Sequence, residues 1–169
     1  MKRIIIVIVE IFLCFLLQTT IFQWFSLARV VPNLLLILTA AAGFTKGRKE
    51  GLLTGFLCGL LIDLCYGYTV GLYAFVYMTI GYLNGFCHRI FVKENMTIPL
   101  ILVGISDLVY FFLYYVFEYL LRGKLNIGFY FVHKGLPELI YTVIVSVFLY
   151  KLLNIINEKT EKKEEEEVF

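Results

Sequence analysis

Charge is scarce in this sequence. Asp, Glu, Lys and Arg make up 17% of its 169 residues, against roughly 25% in soluble domains, while apolar residues reach 60% against roughly 45–50%. A water-soluble fold has too little polar surface to cover such a chain, so a soluble class is excluded. Proline is also rare, at 3 residues, which leaves long stretches free to run as uninterrupted helix. The net charge of +2 is too small, and basic residues too dispersed, for a nucleic-acid surface. Four cysteines (Cys14, Cys58, Cys65, Cys87) lie in or at the ends of apolar runs with no CxxC pair. A disulfide framework or a zinc site is excluded on that spacing. Neither a GxSxG elbow nor a phosphate-binding glycine loop is present, and the histidines, His88 and His133, fall on opposite expected sides of the membrane. No cofactor, no metal and no enzymatic activity are expected.

What the chain has in abundance is apolar and aromatic length, with 16 Phe and 12 Tyr. Six apolar runs divide it: Ile4–Phe25, Val30–Phe44, Gly51–Tyr66, a fourth ending near Phe86, Thr97–Leu121 and Leu136–Leu153. The first follows Lys2 and Arg3 as a signal peptide would, but it is too long and lacks a small-x-small cleavage site, so it is expected to remain as a helix. Pro32 and Pro99 are expected in first helical turns. TKGRKE at 45–50 reads as a tight polar hairpin and GYTVG at 67–71 as an uncharged turn. The third run, at 16 residues, is barely long enough for roughly 30 Å of hydrocarbon. Residues 122–135 read as the longest loop. The expected fold is an all-α integral membrane protein of about six transmembrane helices in one bundle over residues 1–153. Residues 154–169 are expected as a charged cytoplasmic tail, too charged to fold alone and therefore disordered.

Positive charge sets the orientation. With both termini inside, 11 of the 15 Lys and Arg fall on the inner side and 4 (Arg29, Arg122, Lys124, Lys134) on the outer. The bias favours a multi-pass protein of the bacterial inner membrane with cytoplasmic termini.

Five acidic residues interrupt the runs: Glu10, Asp63, Asp107, Glu118 and Glu138. Each costs about 2.5–3.5 kcal/mol at mid-bilayer on insertion scales, so each should face protein or water. A proton or cation relay is one reading. Interhelical hydrogen bonding is the favoured one, because no basic residue sits among them and no second half repeats the pattern. The most specific local feature is a ladder at spacing four: Gly51, Gly55, Gly59, Asp63, Gly67. Such spacing keeps the glycines on one face where another backbone can approach, either within the chain or from a partner. Asp63 lies along the same face and is expected near the outer mouth of its helix, partly hydrated and offering acceptors to a neighbour.

At LLQTTIF (16–22), VPNLLLIL (31–38) and KGRKEGLLTGFLCGLLIDLCYGYTVGLYAF (46–75) the sequence resembles the MreD family of rod-shape-determining proteins. The resemblance covers residues 10–90. Gln18, Pro32, Leu34, Gly51, Gly55, Gly59, Asp63 and Gly71 occupy the family's motif positions, and Asn33 stands where the family usually has Asp. It implies a non-enzymatic membrane scaffold of the cell-elongation machinery, regulating cell shape and lateral peptidoglycan synthesis. The partners it implies are an MreC-like bitopic protein, MreB and peptidoglycan synthases. Gln18, Pro32, Asn33, Gly51, Gly55, Gly59, Asp63 and Gly71 then become candidates for a partner interface or for helix packing. The family is similar in architecture to the substrate-binding S-components of ECF vitamin transporters, which makes an S-component the alternative function. Against it, residues 4–25 contain no alanine, whereas S-components usually present alanines there.

Overall fold

The computed structural model describes residues 2–24, 30–66, 71–90, 97–118 and 127–168. The expected break at 26–29, most of the GYTVG turn with Gly67, and the links at 91–96 and 119–126 lie outside them. Among the described residues the architecture is all-helical. We number the helices α1 (Lys2–Leu16), α2 (Leu34–Lys46), α3 (Arg48–Tyr66), α4 (Leu72–Ile90), α5 (Thr97–Glu118) and α6 (Leu136–Val168). A π-helical turn, Leu17–Ile21, and a last turn, Phe22–Trp24, extend α1; Ile127–Tyr130 and a second π-helical turn, Phe131–Gly135, lead into α6.

The arrangement centres on α2. Its sequence, LLLILTAAAGFTK, is apolar or small all round, and every residue from Leu34 to Phe44 is buried. A helix without a polar face belongs in the middle of a bundle, and α2 touches each of the other five. Small residues from Thr39 to Gly43 let those neighbours come close. The outer helices reverse the pattern of a soluble protein. Ile5, Ile8, Val9, Phe12 and Leu13 are exposed along one face of α1, Ile101, Ile105, Leu108 and Phe112 along α5, and Ile140, Ile144 and Val147 along α6. The interior meanwhile holds Glu10, Asn33, Thr39, Asp63, Asn84, Asp107 and Thr142. Apolar residues outside and hydrogen-bonding groups inside suit hydrocarbon as the solvent. Two helical stretches, Thr97–Phe117 and Gly128–Ile156, are long and apolar enough to cross a membrane by length and composition.

Four boundaries differ from the sequence reading. Pro32 precedes α2 instead of opening it, because Asn33 caps the helix with its own side chain, accepting from Leu36 N–H at 3.2 Å. The α2–α3 hairpin contracts to one residue, Gly47 at φ 96°, and α3 starts at Arg48. With 19 residues, α3 is about 28 Å long at 1.5 Å per residue, its first turn carrying the charged Arg48, Lys49 and Glu50. The segment expected as the end of a long loop is helical from Ile127. Pro137 disguised this. It has no N–H to give its preceding turn, and the chain answers with the π-helical turn, in which Leu136 N–H reaches Phe131 O. Finally, the backbone of α6 is helical through the charged tail.

Candidate functional site

Several hydrogen bonds converge on the start of α2. A buried helix N-terminus leaves orphan N–H groups that must find acceptors. Asn33 Oδ1 takes the Leu36 N–H, and Gln18 Oε1 takes the Leu35 N–H at 3.2 Å. Gln18 is carried by the π-helical turn of α1, whose widened backbone is also marked by the Thr19 hydroxyl bonding to Phe15 O at 2.8 Å. Tyr77 of α4 donates its hydroxyl to Asn33 Oδ1 at 2.6 Å, and Asn33 N–H donates to Thr142 Oγ1 of α6 at 3.1 Å. Gln18, Pro32 and Asn33 are thus brought together, and Asn33 ties α2, α4 and α6 to one point. The amide serves where the family usually has a carboxylate, since both bonds it receives need only a carbonyl-type oxygen. Tyr77 and Thr142 carry no motif that would single them out in the sequence. Replacing Tyr77 with Phe should lower the unfolding midpoint of the purified protein, with a loss of about 0.6 and at most about 1.7 kcal/mol, the average and the maximum for hydrogen bonds between membrane helices. An unchanged midpoint would show that the Asn33 junction carries no stability.

Gly51, Gly55 and Gly59 lie on α3 against α4, in an antiparallel register where position 51 faces 81, 55 faces 77 and 59 faces 73. A Cβ on Gly51 would run into Gly81 O and come within 2.6 Å of Gly43 Cα. One on Gly55 would meet the Tyr77 backbone, its carbonyl carbon at 2.7 Å, and one on Gly59 the backbone of Tyr73 and Ala74. Gly81 and Gly85 complete the seam from α4, meeting Gly51 and Arg48. At the far end of the seam Asp63, only 2% exposed, is buried and not hydrated as the sequence suggested. Its carboxylate accepts three backbone N–H groups that open α4: Gly71 at 3.0 Å, Tyr73 at 3.1 Å and Ala74 at 2.9 Å. The acceptors offered by Asp63 therefore serve the next helix in the chain. Gly71, at φ 105°, makes the backbone turn that aims those groups at Asp63.

The histidines are engaged locally. His88 Nδ1 lies 2.6 Å from Phe44 O, and His133 Nδ1 lies 3.0 Å from Phe129 O. All four cysteines are free, and among the described residues no three His, Cys, Asp or Glu side chains gather as metal ligands would.

A cavity of about 200 Å³, not anticipated from the sequence, lies between α4, α5 and the start of α6. Tyr73, Tyr110, Tyr114 and Tyr115 wall it together with Lys134 and Glu138. Its one sequence signal is the spacing of four between Tyr110 and Tyr114, which sets two rings on one helix face, here stacked at 6.0 Å.

No match appears among curated proteins or among solved structures. The family comparison is different in extent: residues 1–159 match the family described as rod shape-determining protein MreD. That match spans the first five helices and most of α6, with Gln18, the start of α2, the α3–α4 seam and Asp63, and so extends well past the motif region. The chain belongs to the MreD family of rod shape-determining membrane proteins.

Proposed function

We propose that this protein is a non-enzymatic, multi-pass scaffold of the cell-elongation machinery in the bacterial inner membrane. In this reading it holds an MreC-like bitopic protein, MreB and the peptidoglycan synthases at the site of lateral wall growth. The observation that carries the reading is the family match over residues 1–159. Physical support comes from where the bundle uses its polar atoms. Gln18, Asn33 and Asp63 act on helix starts inside the chain, and the glycine seam joins two of its own backbones. Its best-placed polar groups are committed to its own backbone, which suits a part that positions others. We assign Gln18, Pro32, Asn33, Gly51, Gly55, Gly59, Asp63 and Gly71 to helix packing, leaving partner contact to outward faces.

Deletion in a rod-shaped host should widen or round the cells, and co-purification from native membrane in mild detergent should recover the bitopic partner. Intact shape together with a new vitamin requirement would replace this reading with the S-component alternative. Both termini are assigned to the cytoplasm on the positive-charge asymmetry. Reporter fusions after Lys49 and after Lys163 should therefore both read as cytoplasmic, and a periplasmic signal from either would reverse the orientation or change the number of crossings.

A further inference from the structure

We propose that the tyrosine-walled cavity between α4, α5 and α6 binds a phospholipid whose headgroup carries an ammonium group, with one acyl chain in the adjoining apolar hollow. The cavity combines three elements that one ligand would satisfy together. First, its walls are aromatic faces: Tyr110 and Tyr114 are stacked, and the Tyr73 ring lies 5.7 Å from Tyr114 and 6.4 Å from Tyr110. Aromatic rings lining a cavity can hold a cation near them through the ring quadrupole. Second, Glu138 lines the cavity. Behind it Asp107, 3% exposed and with Oδ1 unpartnered, is near enough to repel its charge. An ammonium group pairing with Glu138 would offset the cost of a carboxyl group held in a bundle surrounded by hydrocarbon. Third, Lys134 lines the same cavity as Glu138 and is exposed at its rim. Its ammonium is placed for a phosphate while Glu138 is placed for an amine, in the order in which a zwitterionic headgroup presents them.

The hollow supplies the rest of the ligand. It has a volume of about 350 Å³, is lined by Leu108, Phe111, Phe112, Gly128 and Phe131, and opens on the outer surface of the bundle. Phe111 lines both spaces, which therefore adjoin at its ring. Gly135 lets that ring lie against the helix backbone, since a Cβ there would stand 2.9 Å from Phe111 Cδ2. A charged aromatic chamber joined to an open apolar one has the form of an amphiphile, whereas a soluble cation would need only the first.

The test uses the full chain, delipidated in mild detergent and returned to nanodiscs, with bound lipid counted by native mass spectrometry. The probes are dioleoyl phosphatidylethanolamine, dioleoyl phosphatidylglycerol and water-soluble phosphoethanolamine. Retention of the ethanolamine lipid should exceed that of the glycerol lipid about tenfold, the low end for a hydrogen bond to a charged group, here between Glu138 and the ammonium. Glu138→Gln should erase this preference. Gly128→Leu should lower retention of both lipids with the unfolding midpoint unchanged, because a Cβ at Gly128 meets nothing within 4 Å and the added side chain fills the hollow without disturbing the bundle. Equal retention of the two lipids overturns the proposal, as does a preference that survives Glu138→Gln. Phosphoethanolamine displacing the lipid at equal concentration would show a soluble-ligand site and overturn it as well. None of these outcomes depends on the scaffold role.

Discussion

Replacing Gly59 with leucine is expected to remove the folded protein from the membrane fraction. In water a bundle is held by the exclusion of apolar surface, but lipid tails are as apolar as leucine, so helices in a membrane associate through close packing and hydrogen bonds. The α3–α4 seam is this packing in its tightest form. Gly59 faces the Tyr73 carbonyl, and a Cβ there would lie 2.5 Å from both Ala74 Cα and the Tyr73 carbonyl carbon. Backbone cannot rotate aside as a side chain can, so the helices must separate along their length. That separation disturbs Asp63 at one end, and at the other Gly81, whose own Cβ would strike Gly51 O. The cost should exceed about 3 kcal/mol, the upper end of ordinary overpacking. Gly104→Ala is the control, because its Cβ would meet only Val143 Cγ2 at 3.6 Å, an ordinary contact. It should express as the parent protein does. Membrane expression and detergent monodispersity report both variants, and a monodisperse Gly59→Leu protein with parental yield would show that α3 and α4 are not in backbone contact.

The seam illustrates what the sequence makes legible. Spacing is local information, so the ladder from Gly51 to Asp63 falls on one helix face by its four-residue interval alone. What occupies that face is tertiary information, and Gly81 and Gly85 of the following helix are visible in the sequence only as a second instance of the spacing. The same division holds at Asp63. Its position along the groove follows from the interval, but its partners are N–H groups 8 to 11 residues later, brought back by the Gly71 turn. Backbone donors leave no mark in a sequence. The central place of α2 is within reach, because a helix with no polar face has to be enclosed. The cavity is not, because its wall is assembled from Tyr73, Tyr110 and Glu138 on three helices, and a tyrosine at a membrane boundary reads equally well as an interfacial anchor. Boundaries fail where proline misleads. Pro32 looks like a first-turn residue although Asn33 does the capping, and Pro137 hides a helix that has already begun at Ile127.

Asp63→Ala is expected to destabilise the bundle, not merely to loosen its assembly with a partner. The size of the effect follows from what the three N–H groups would meet. A pair of side chains between formed membrane helices contributes about 0.6 kcal/mol on average, because the separated helices find other partners. The N–H groups of Gly71, Tyr73 and Ala74 lack that recourse: they open a helix, carry its positive end, and turn inward to the Asp63 carboxylate. Hydrogen bonds to a charged group are worth roughly 1.5–3 kcal/mol each in net terms, and three sharing one carboxylate are not additive. A loss of about 2–4 kcal/mol is the resulting expectation, above a single bond and well short of three. Asp63→Asn distinguishes charge from shape, since its amide keeps one oxygen for this cluster but turns an NH₂ toward the remaining donor, and it should fall between the parent and alanine. Circular dichroism on heating in detergent gives the three midpoints. Gly71→Ala should move the midpoint in the same direction although its Cβ would enter open space, because the residue sits at φ 105° and the turn itself becomes strained. A parental midpoint for Asp63→Ala, with partner recovery alone reduced, would return Asp63 to the partner-facing role and contradict the cap.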